Sequence, residues 1–289
     1  MQFTKAHGCG NDFIIVDARE NPSLTLDALK ARAARLCERR FGVGADGVLW
    51  VSERSGRAEM TVINADGGVS EMCGNGLRCV AHYLLTQDRL KGADALDREL
   101  DRGRRAGEVS AEVLTGAGAL RVSVTLLDEE GREATAQVWM GHPSHLAERH
   151  LSGGAAPLTT LSMGNPHAVT FHAADHARRH RLAEEWSREV VGGINISFAR
   201  LTSEGVELDV HERGCGWTLA CGTGACATVV AGVERGLLPA GRDTRVLLPG
   251  GALTVNYKPG VGVWMTGPSA ICYRGEVAGS ALHPRGVRS

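Results

Sequence analysis

The chain contains the short phrase Cys-Gly-X-Gly twice, and each copy opens a stretch with helical composition. The first copy lies in MCGNGLRCVA, residues 72–81, and the second in ACGTGACATV, residues 220–229. In both copies the run that follows consists almost entirely of apolar or small residues, which is typical of a buried helix. The sequence therefore predicts two buried helices, over 74–90 and 222–236, each preceded by a cysteine.

Polar residues precede the two cysteines at similar offsets, which indicates an internal duplication. Three pairs of residues match when their distances before Cys73 and Cys221 are compared. Asn64 and Glu212 each lie nine positions before their cysteine. Asn11 and Asn165 lie 62 and 56 positions before it, and Asp46 and Asn195 lie 27 and 26 positions before it. The chain of 289 residues is long enough for two domains. We place the N-terminal half at residues 1–139, completed by about 268–289 from the C-terminus, and the C-terminal half at residues 140–267.

Strand and helix patterns alternate along both halves, which predicts a mixed α/β (α+β) protein. Strands are predicted, for example, at 13–19, 47–52 and 59–65, and one helix is predicted over 25–41. A charged, glycine-containing segment at 91–108 predicts a loop with some helix. The last dozen residues, rich in glycine, proline and arginine, predict a frayed tail.

Composition and charge exclude several classes of function. The formal net charge of −1 provides no general attraction for nucleic acid, so no nucleic-acid partner is expected. No apolar run approaches the ~20 residues of a membrane span, so no membrane partner is expected either. The first residues lack the features of a secretory signal, and we therefore expect the protein in the cytoplasm.

Eight cysteines are present, at positions 9, 37, 73, 79, 215, 221, 226 and 272. Without signs of secretion, free thiols are expected rather than a disulfide framework. A zinc site is an alternative, but the cysteines of the two phrases are six and five residues apart, unlike C-x-x-C. A redox pair of Cys73 with Cys221 is another. The other cysteines of the helical segments, together with Cys37, Cys215 and Cys272, are interpreted as packing residues.

A cysteine at a helix start suggests proton-transfer chemistry. Free backbone N–H groups and the helix dipole are expected to lower the pKa of such a thiol. The same N–H groups can bind a carboxylate. Two such sites around one carbon would let one thiol remove a proton from one face while the other thiol supplies a proton to the opposite face. The expected result is inversion of a stereocentre.

Six segments together resemble the diaminopimelate epimerase family. They are FTKAHGCGNDFIIVD (3–17), RRFGVGADGVL (39–49), NADGGVSEMCGNGLRCVAHYL (64–84), MGNPHAV (163–169), NISF (195–198) and ERGCGWTLACGTGACATVVAG (212–232). They cover both halves in order. The related proline racemases have a histidine at the position of Asn75, so this residue favours the epimerase branch.

The resemblance implies two pseudo-symmetric domains, each a curved, mostly antiparallel sheet or barrel wrapped round a central helix, with the active site in the cleft between them. It implies interconversion of LL- and meso-2,6-diaminopimelate without pyridoxal phosphate, metal or any other cofactor. It also implies a homodimer with a small-molecule substrate.

The resemblance also implies a role for each matched site residue. Cys73 and Cys221 would exchange the proton, and His167 and Glu212 would tune the two thiols. The reacting α-carboxylate would be held by Gly74, Asn75, Gly222 and Thr223. The rest of the substrate would be bound by Asn11, Asn64, Asn165, Asn195, Glu212 and Arg213.

Two alternatives and two departures accompany this interpretation. The alternatives are an amino acid racemase of the same fold, similar to proline racemase, and a thiol redox protein. The departures are Gly47, where some family members have glutamine, and Trp217, where many have glutamate or threonine. We expect the Trp217 side chain to face away from the chemistry.

Overall fold

The computed structural model describes residues 1–90, 108–154, 157–172 and 175–278. These residues form two compact units, one of Met1–Ala136 with the segment from Pro268 onward and the other of Gln137–Gly267. The loop predicted at 91–108 lies outside the described residues except for its last position. The predicted C-terminal tail lies outside them from 279 onward, so neither prediction is tested.

The first unit is built on strands that pair mostly antiparallel. Its elements are β1 (Gln2–Gly8), β2 (Asn11–Asp17), α1 (Leu26–Lys30), α2 (Ala33–Cys37), β3 (Gly47–Arg54), β4 (Arg57–Asn64), β5 (Val69–Ser70), α3 (Gly74–Thr86), β6 (Val109–Thr115), β7 (Gly118–Leu126) and β8 (Glu133–Trp139), whose last three residues belong to the second unit. The hairpins β1–β2, β3–β4 and β6–β7 are antiparallel. Parallel pairing joins β2 to β3 and β4 to β6, and β5 adds an antiparallel pair to β4.

The second unit repeats this order of pairing. Its elements are β9 (Ser144–Arg149), β10 (Leu158–Ser162), β11 (Pro166–Thr170), α4 (His176–Glu189), β12 (Asn195–Thr202), β13 (Gly205–Glu212), β14 (Gly216–Thr218), α5 (Gly222–Glu234), β15 (Asp243–Leu248), β16 (Gly251–Lys258) and the first residues of β17 (Gly262–Glu276). The hairpins β10–β11, β12–β13 and β15–β16 are antiparallel. Parallel pairing joins β11 to β12 and β13 to β15, and β14 pairs antiparallel with β13.

A buried helix lies at the centre of each unit. Helix α3 contacts β1, β2, β3, β4 and β7, and α5 contacts β10, β11, β12 and β16. Every residue of α3 from Gly74 to Leu84 is buried, as is every residue of α5 from Gly224 to Gly232. In α5, small residues such as Gly224, Ala225 and Ala227 let the strands approach the helix closely, whereas α3 buries larger side chains such as Arg78 and Tyr83. The predicted fold class, a mixed α/β protein of two similar halves with central helices, is confirmed.

The single helix predicted over 25–41 is wrong, since the chain forms the short helices α1 and α2 instead. Thr25 caps the first through its side chain, and Arg32 separates the two with φ −106°. Both helices bury their apolar residues in one core, which includes Leu29 and Leu36. Packing of that core therefore overrides the continuous helical period of the sequence. None of the helices in the described part of the chain is long and apolar enough to cross a membrane.

Candidate active site

Cys73 is the residue that caps the N-terminus of α3. Its backbone is extended, with φ −139° and ψ 112°, and its Sγ accepts a hydrogen bond from the Gly76 N–H at 3.4 Å. The thiol residue is half-buried and the two residues after it are buried. A Cβ at Gly76 would lie 3.0 Å from the Leu49 side chain, so glycine lets the helix start pack closely against β3.

A chain of hydrogen bonds fixes the amides beside this helix start. Asn75 Nδ2 donates to Asn11 Oδ1 at 3.0 Å, and Asn11 Nδ2 donates to Asp46 Oδ2 at 2.7 Å. A carboxylate only accepts, so the amino group of Asn11 must face Asp46 and its oxygen must face Asn75. The carboxylate of Asp46 therefore sets the orientation of both asparagine side chains.

Charged residues hold Asp46 and the start of β2 in place. Arg39 donates to Asp46 and to Asp12, each at 2.7 Å, and Lys5 pairs with Asp12 at 2.5 Å. Burial of Asp12 raises its pKa, but the hydrogen bonds and charges of Arg39 and Lys5 outweigh burial and lower the pKa to about 2. Asp12 is therefore ionised at neutral pH. The sequence analysis did not single out Lys5, Asp12 or Arg39, although all three lie in the segments that carry the family resemblance.

Asn64 lies at the exposed end of β4, in a tight turn. Its side-chain oxygen accepts from Ser70 Oγ at 3.1 Å, and its backbone closes the turn with Gly67 and Gly68. Gly67 has φ +86°, which glycine adopts without strain. The side chain of Asn64 thus keeps its amino group available while its oxygen has a partner.

Cys221 occupies in α5 the position that Cys73 occupies in α3. Its φ and ψ are −121° and 106°, and its Sγ accepts from the Gly224 N–H at 3.4 Å. The Thr223 hydroxyl lies 3.6 Å from the same sulfur. Both helices have 13 residues, and both start with the sequence Gly-X-Gly. The two cysteine sites are therefore repeats of one local structure.

The expectation that the helix N-terminus lowers the pKa of Cys221 is wrong for the free protein. Burial raises this pKa well above its usual value, and the negative charge of Glu212 raises it further, while bonds from Thr223 and Gly224 lower it by less. Only 4% of Cys221 is exposed. Desolvation and the Glu212 charge therefore outweigh the hydrogen bonds that the helix start and Thr223 donate to the sulfur, and Cys221 is a protonated thiol at neutral pH.

His167 and Asn165 lie next to the start of α5. Asn165 Nδ2 donates to Thr223 Oγ1 at 3.3 Å, and His167 Nε2 lies 2.8 Å from Asn165 Oδ1. His167 is completely buried, and within the described residues its Nδ1 has no hydrogen-bond partner. Burial, together with the positive charge of Arg213, lowers the pKa of His167 to about 3. The ring is therefore neutral, and its Nε2–H donates to Asn165.

The low pKa of His167 predicts acid sensitivity. In the unfolded chain this histidine takes up a proton near pH 6.5, whereas in the folded protein it does so only near pH 3. Its contribution to stability is complete above pH 6.5 and is lost as the pH falls from 6.5 towards 3. Over this range the free energy of unfolding decreases by up to about 1.4 kcal/mol for each pH unit. We expect His167→Gln to remove this slope from the free energy of unfolding, measured with urea at several pH values.

An exposed histidine provides the matched control for that measurement. His150 is exposed, so His150→Gln removes a histidine without removing a buried ring. Its stability should follow that of the wild type across the pH range. If His167→Gln also runs parallel to the wild type below pH 6.5, the buried neutral state of His167 is wrong.

Glu212, Arg213 and Asn195 meet where β12 begins and β13 ends. Asn195 Nδ2 donates to the Pro166 carbonyl at 2.9 Å, and its Oδ1 accepts from the Arg213 backbone N–H at 3.0 Å. The Thr218 hydroxyl donates to Glu212 at 2.5 Å. Glu212 also interacts with the Cys221 thiol, which links this cluster to the start of α5.

The Arg213 side chain lies across a glycine turn. Gly193 has φ +71°, and a Cβ there would lie 2.8 Å from Arg213 Cγ. Arg213 Nη1 donates to the Gly192 carbonyl at 3.3 Å. A guanidinium has five N–H donors, and the residue is exposed, so most of its donors can face a ligand.

The remaining cysteines differ in their surroundings. All eight lie in the described ranges, and none of them is joined in a disulfide. Cys79 and Cys226 are completely buried in α3 and α5, as the packing interpretation requires, and burial raises the pKa of Cys79 to about 12. Cys215 and Cys272 are exposed, so interpreting them as packing residues is wrong. In the described ranges, no group of three or more His, Cys, Asp or Glu side chains is arranged to hold a metal ion.

The structure shows what contacts Gly47 and Trp217, the two residues that depart from the family pattern. A Cβ at Gly47 would lie 3.0 Å from the Ile63 carbonyl, so a larger residue requires β4 to shift. Trp217 donates its indole N–H to His180 at 3.1 Å and packs against Phe198 and His211. Sequence reasoning missed the contact with His180, because the two residues are 37 positions apart in different elements.

Known proteins resemble the chain over nearly its whole length. The sequence profile of diaminopimelate epimerase matches residues 3–145 and 159–272. Diaminopimelate epimerase from Carboxydothermus hydrogenoformans is 38% identical, over 96% of this chain and 99% of that protein. Diaminopimelate epimerase from Pelotomaculum thermopropionicum is 39% identical, over 96% of this chain and 98% of that protein.

Solved structures of more distant proteins share the fold. A probable proline racemase from Agrobacterium radiobacter K84 superposes with a TM-score of 0.68 at 16% identity, covering 98% of this chain and 94% of the other. A hydroxyproline epimerase from Agrobacterium vitis gives a TM-score of 0.66 at 16% identity, covering 98% and 92%. These likenesses concern the fold alone, whereas the full-length sequence matches define the family. The chain belongs to the diaminopimelate epimerase family of isomerases.

Proposed function

We propose that the protein interconverts LL-2,6-diaminopimelate and meso-2,6-diaminopimelate, as a cytoplasmic homodimer, in the synthesis of lysine and peptidoglycan precursors. The observation that carries this proposal is the repeated helix start. Cys73 and Cys221 each cap a buried 13-residue helix, and each sulfur accepts from the second glycine of Gly-X-Gly at 3.4 Å. Inversion of one carbon by proton transfer needs a base on one face and an acid on the opposite face, and two thiols can provide both.

In the proposed reaction one cysteine acts as a thiolate and the other as a thiol. The thiolate takes the α-proton, and the electron pair of the broken C–H bond passes into an enolate-like carboxylate. The second thiol then delivers its proton to the opposite face of the same carbon, which restores the C–H bond with inverted configuration. The reverse reaction exchanges the two roles, so no net proton is gained or lost.

Backbone donors at the two helix starts stabilise the carbanion in this proposal. Gly74 and Asn75 begin α3, and Gly222 and Thr223 begin α5, so each site has N–H groups without an intrahelical acceptor. Negative charge that develops on the α-carboxylate is favoured at a helix N-terminus. This stabilisation replaces the electron sink that pyridoxal phosphate supplies in other racemases, so no cofactor and no metal takes part in the proposed reaction.

The protonation of Cys221 suggests which cysteine is the acid and which is the base before substrate binds. Burial and Glu212 keep the proton on this thiol. Cys221 is then the acid, and Cys73, which is half-buried, is the residue that acts as the thiolate base. For the opposite isomer a proton must first move so that the roles are exchanged.

The distal end of the substrate carries one carboxylate and one ammonium group. Arg213 has free donors for a bidentate carboxylate contact, and Glu212 carries the opposite charge for the ammonium group. Asn11, Asn64, Asn165 and Asn195 add amides that donate or accept, in orientations fixed by the bonds described above. Such a set discriminates between substrates with one and with two amino acid ends.

Substrate profiling tests the proposed function. The purified protein is incubated in D₂O with LL-diaminopimelate, meso-diaminopimelate, L-proline and trans-4-hydroxy-L-proline, with and without EDTA and hydroxylamine. We expect epimerisation of both diaminopimelate isomers with deuterium at the α-carbon, unaffected by either reagent. Turnover of proline or hydroxyproline without turnover of diaminopimelate would identify a racemase of the same fold and overturn the proposal.

A thiol redox protein is the rival from another class. Its activity would survive formation of a disulfide, whereas proton transfer needs both thiols free. Titration of free thiols alongside the epimerase assay separates the two. Loss of epimerisation in step with loss of the two thiols supports the isomerase.

A further inference from the structure

Trp217 joins β14 to helix α4 through a hydrogen bond. Its Nε1 donates to His180 Nδ1 at 3.1 Å, and the two rings lie 4.7 Å apart. On the other side, Trp217 faces His211, its partner in the β13–β14 ladder, with ring centroids 5.4 Å apart. The indole is therefore held between an α-helix and a strand of the second unit.

The indole N–H determines the state of His180. An indole only donates, so His180 Nδ1 must be unprotonated, and the proton of the neutral ring lies on Nε2. That Nε2 lies 3.2 Å from His176 Nε2, to which it donates. His180 Nε2 is then a donor, which opposes joint binding of a metal ion by the two histidines. These hydrogen bonds therefore hold the Trp217 side chain in place rather than forming a metal site.

The charged and titratable surroundings of His180 come from two elements. His176 and Glu184 lie on α4, and His211 lies on β13. Burial lowers the pKa of His211, Glu184 raises it, and the charge of His180 lowers it.

Strand β14 needs external support because it is very short. It has three residues, Gly216–Thr218, and both its first residue, Gly216, and Gly214 in the preceding turn have positive φ. Thr218, the neighbour of Trp217, donates its hydroxyl to Glu212. Glu212 in turn interacts with the Cys221 thiol. Movement of β14 would therefore change the position of the Glu212 carboxylate.

We propose that Trp217, anchored by His180, is a positioning residue that holds Glu212 beside the Cys221 thiol through Thr218. The inference rests on the proposed function, in which Cys221 transfers a proton. It concerns Trp217, one of the two departures from the family pattern named in the sequence analysis, and it gives this residue a role even though its ring contacts α4 rather than the reacting groups.

Paired variants test this role. Trp217→Phe keeps an aromatic ring and removes the N–H donor. His180→Leu removes the acceptor, and His180→Asn restores an acceptor oxygen near the position of Nδ1. Trp186→Phe is the matched control, since Trp186 donates its own indole N–H to the Ser152 carbonyl at 2.8 Å and belongs to the same unit. Thermal unfolding of every variant shows whether it folds.

Two readouts separate positioning from general support. The first is kcat, KM and the pH dependence of kcat/KM for epimerisation of diaminopimelate. The second does not need activity: it is the pH titration of ¹³Cβ-labelled cysteine by NMR, with the Cys221 signal assigned from Cys221→Ser. Because Glu212 raises the pKa of Cys221, loosening Glu212 should lower the titration midpoint and move the basic limb of kcat/KM to lower pH.

We expect Trp217→Phe and His180→Leu to lower kcat about ten-fold, with KM nearly unchanged, and to lower the Cys221 midpoint. His180→Asn should recover most of both properties, and Trp186→Phe should match the wild type in both. Unchanged kcat and midpoint in Trp217→Phe and His180→Leu would overturn the inference, as would failure of His180→Asn to recover. If the wild type does not epimerise diaminopimelate, the proposed function fails, and the NMR midpoint still decides the role of Trp217.

Discussion

Replacing Cys73 or Cys221 with serine is expected to lower kcat for epimerisation by about 10³-fold while leaving the fold intact. Serine is a favoured helix N-cap and can accept the same N–H that each sulfur accepts at 3.4 Å. Its hydroxyl is far less acidic than a thiol, so it can neither form the base nor deliver the proton. Alanine at either position should abolish turnover and also remove the cap. The measurement is the initial rate of diaminopimelate epimerisation.

Buried cysteines of the same helices are the matched controls. Cys79 and Cys226 lie one to two turns into α3 and α5, where they are completely buried. Cys79→Ala and Cys226→Ala should lower the thermal midpoint, because each removes a buried sulfur, yet keep kcat near the wild-type value. Near-wild-type turnover in Cys73→Ser or Cys221→Ser, with normal exchange of the α-hydrogen with solvent, would show that the two-thiol mechanism is wrong.

Replacing Arg213 with lysine is expected to raise KM for diaminopimelate by about 10- to 100-fold with a smaller change in kcat. The methylenes of Arg213 lie across Gly193, its backbone N–H donates to Asn195, and one guanidinium N–H donates to the Gly192 carbonyl. Its remaining donors suit a carboxylate that accepts two parallel bonds. Lysine keeps the charge but cannot form that pair of bonds, so binding weakens while the thiols are unchanged. Steady-state kinetics with both isomers provides the measurement.

Arg200→Lys is the control for the change from arginine to lysine. Arg200 lies on β12 of the same unit and pairs with Glu207 at the surface. Surface ion pairs contribute little to stability, so this variant should have wild-type KM and stability. An Arg213→Lys enzyme with an unchanged KM would remove Arg213 from the proposed substrate-binding set.

The repeated cysteine phrase predicted its local structure because that structure is encoded nearby in the chain. A helix start depends on a capping residue and on the few residues after it, all of which lie within one turn. Cys73 and Cys221 accordingly cap α3 and α5 with closely similar dihedral angles and bonds. The offsets of nine residues also correspond to structure, since Asn64 and Glu212 are the last residues of the equivalent strands β4 and β13.

Long-range contacts explain where sequence reasoning failed. The helical period over 25–41 is continuous, yet the shared core of α1 and α2 bends the chain at Arg32. A helix dipole favours a thiolate, yet the burial of Cys221 and the charge of Glu212 favour the thiol. In both cases a local preference, worth on the order of 1 kcal/mol, competes with packing or desolvation that depends on residues far away in the chain.

The sequence by itself determined the family, the two related halves and the two cysteines at helix starts, because each depends on residue type and spacing. Only the tertiary structure decided the protonation of Cys221 and His167, the orientation of Asn11 and Asn75, and the support of β14 by Trp217 and His180. Those properties depend on burial and on hydrogen bonds between residues up to 64 positions apart. Solvent exclusion and bond direction arise only when the elements pack, so no pattern along the chain expresses them.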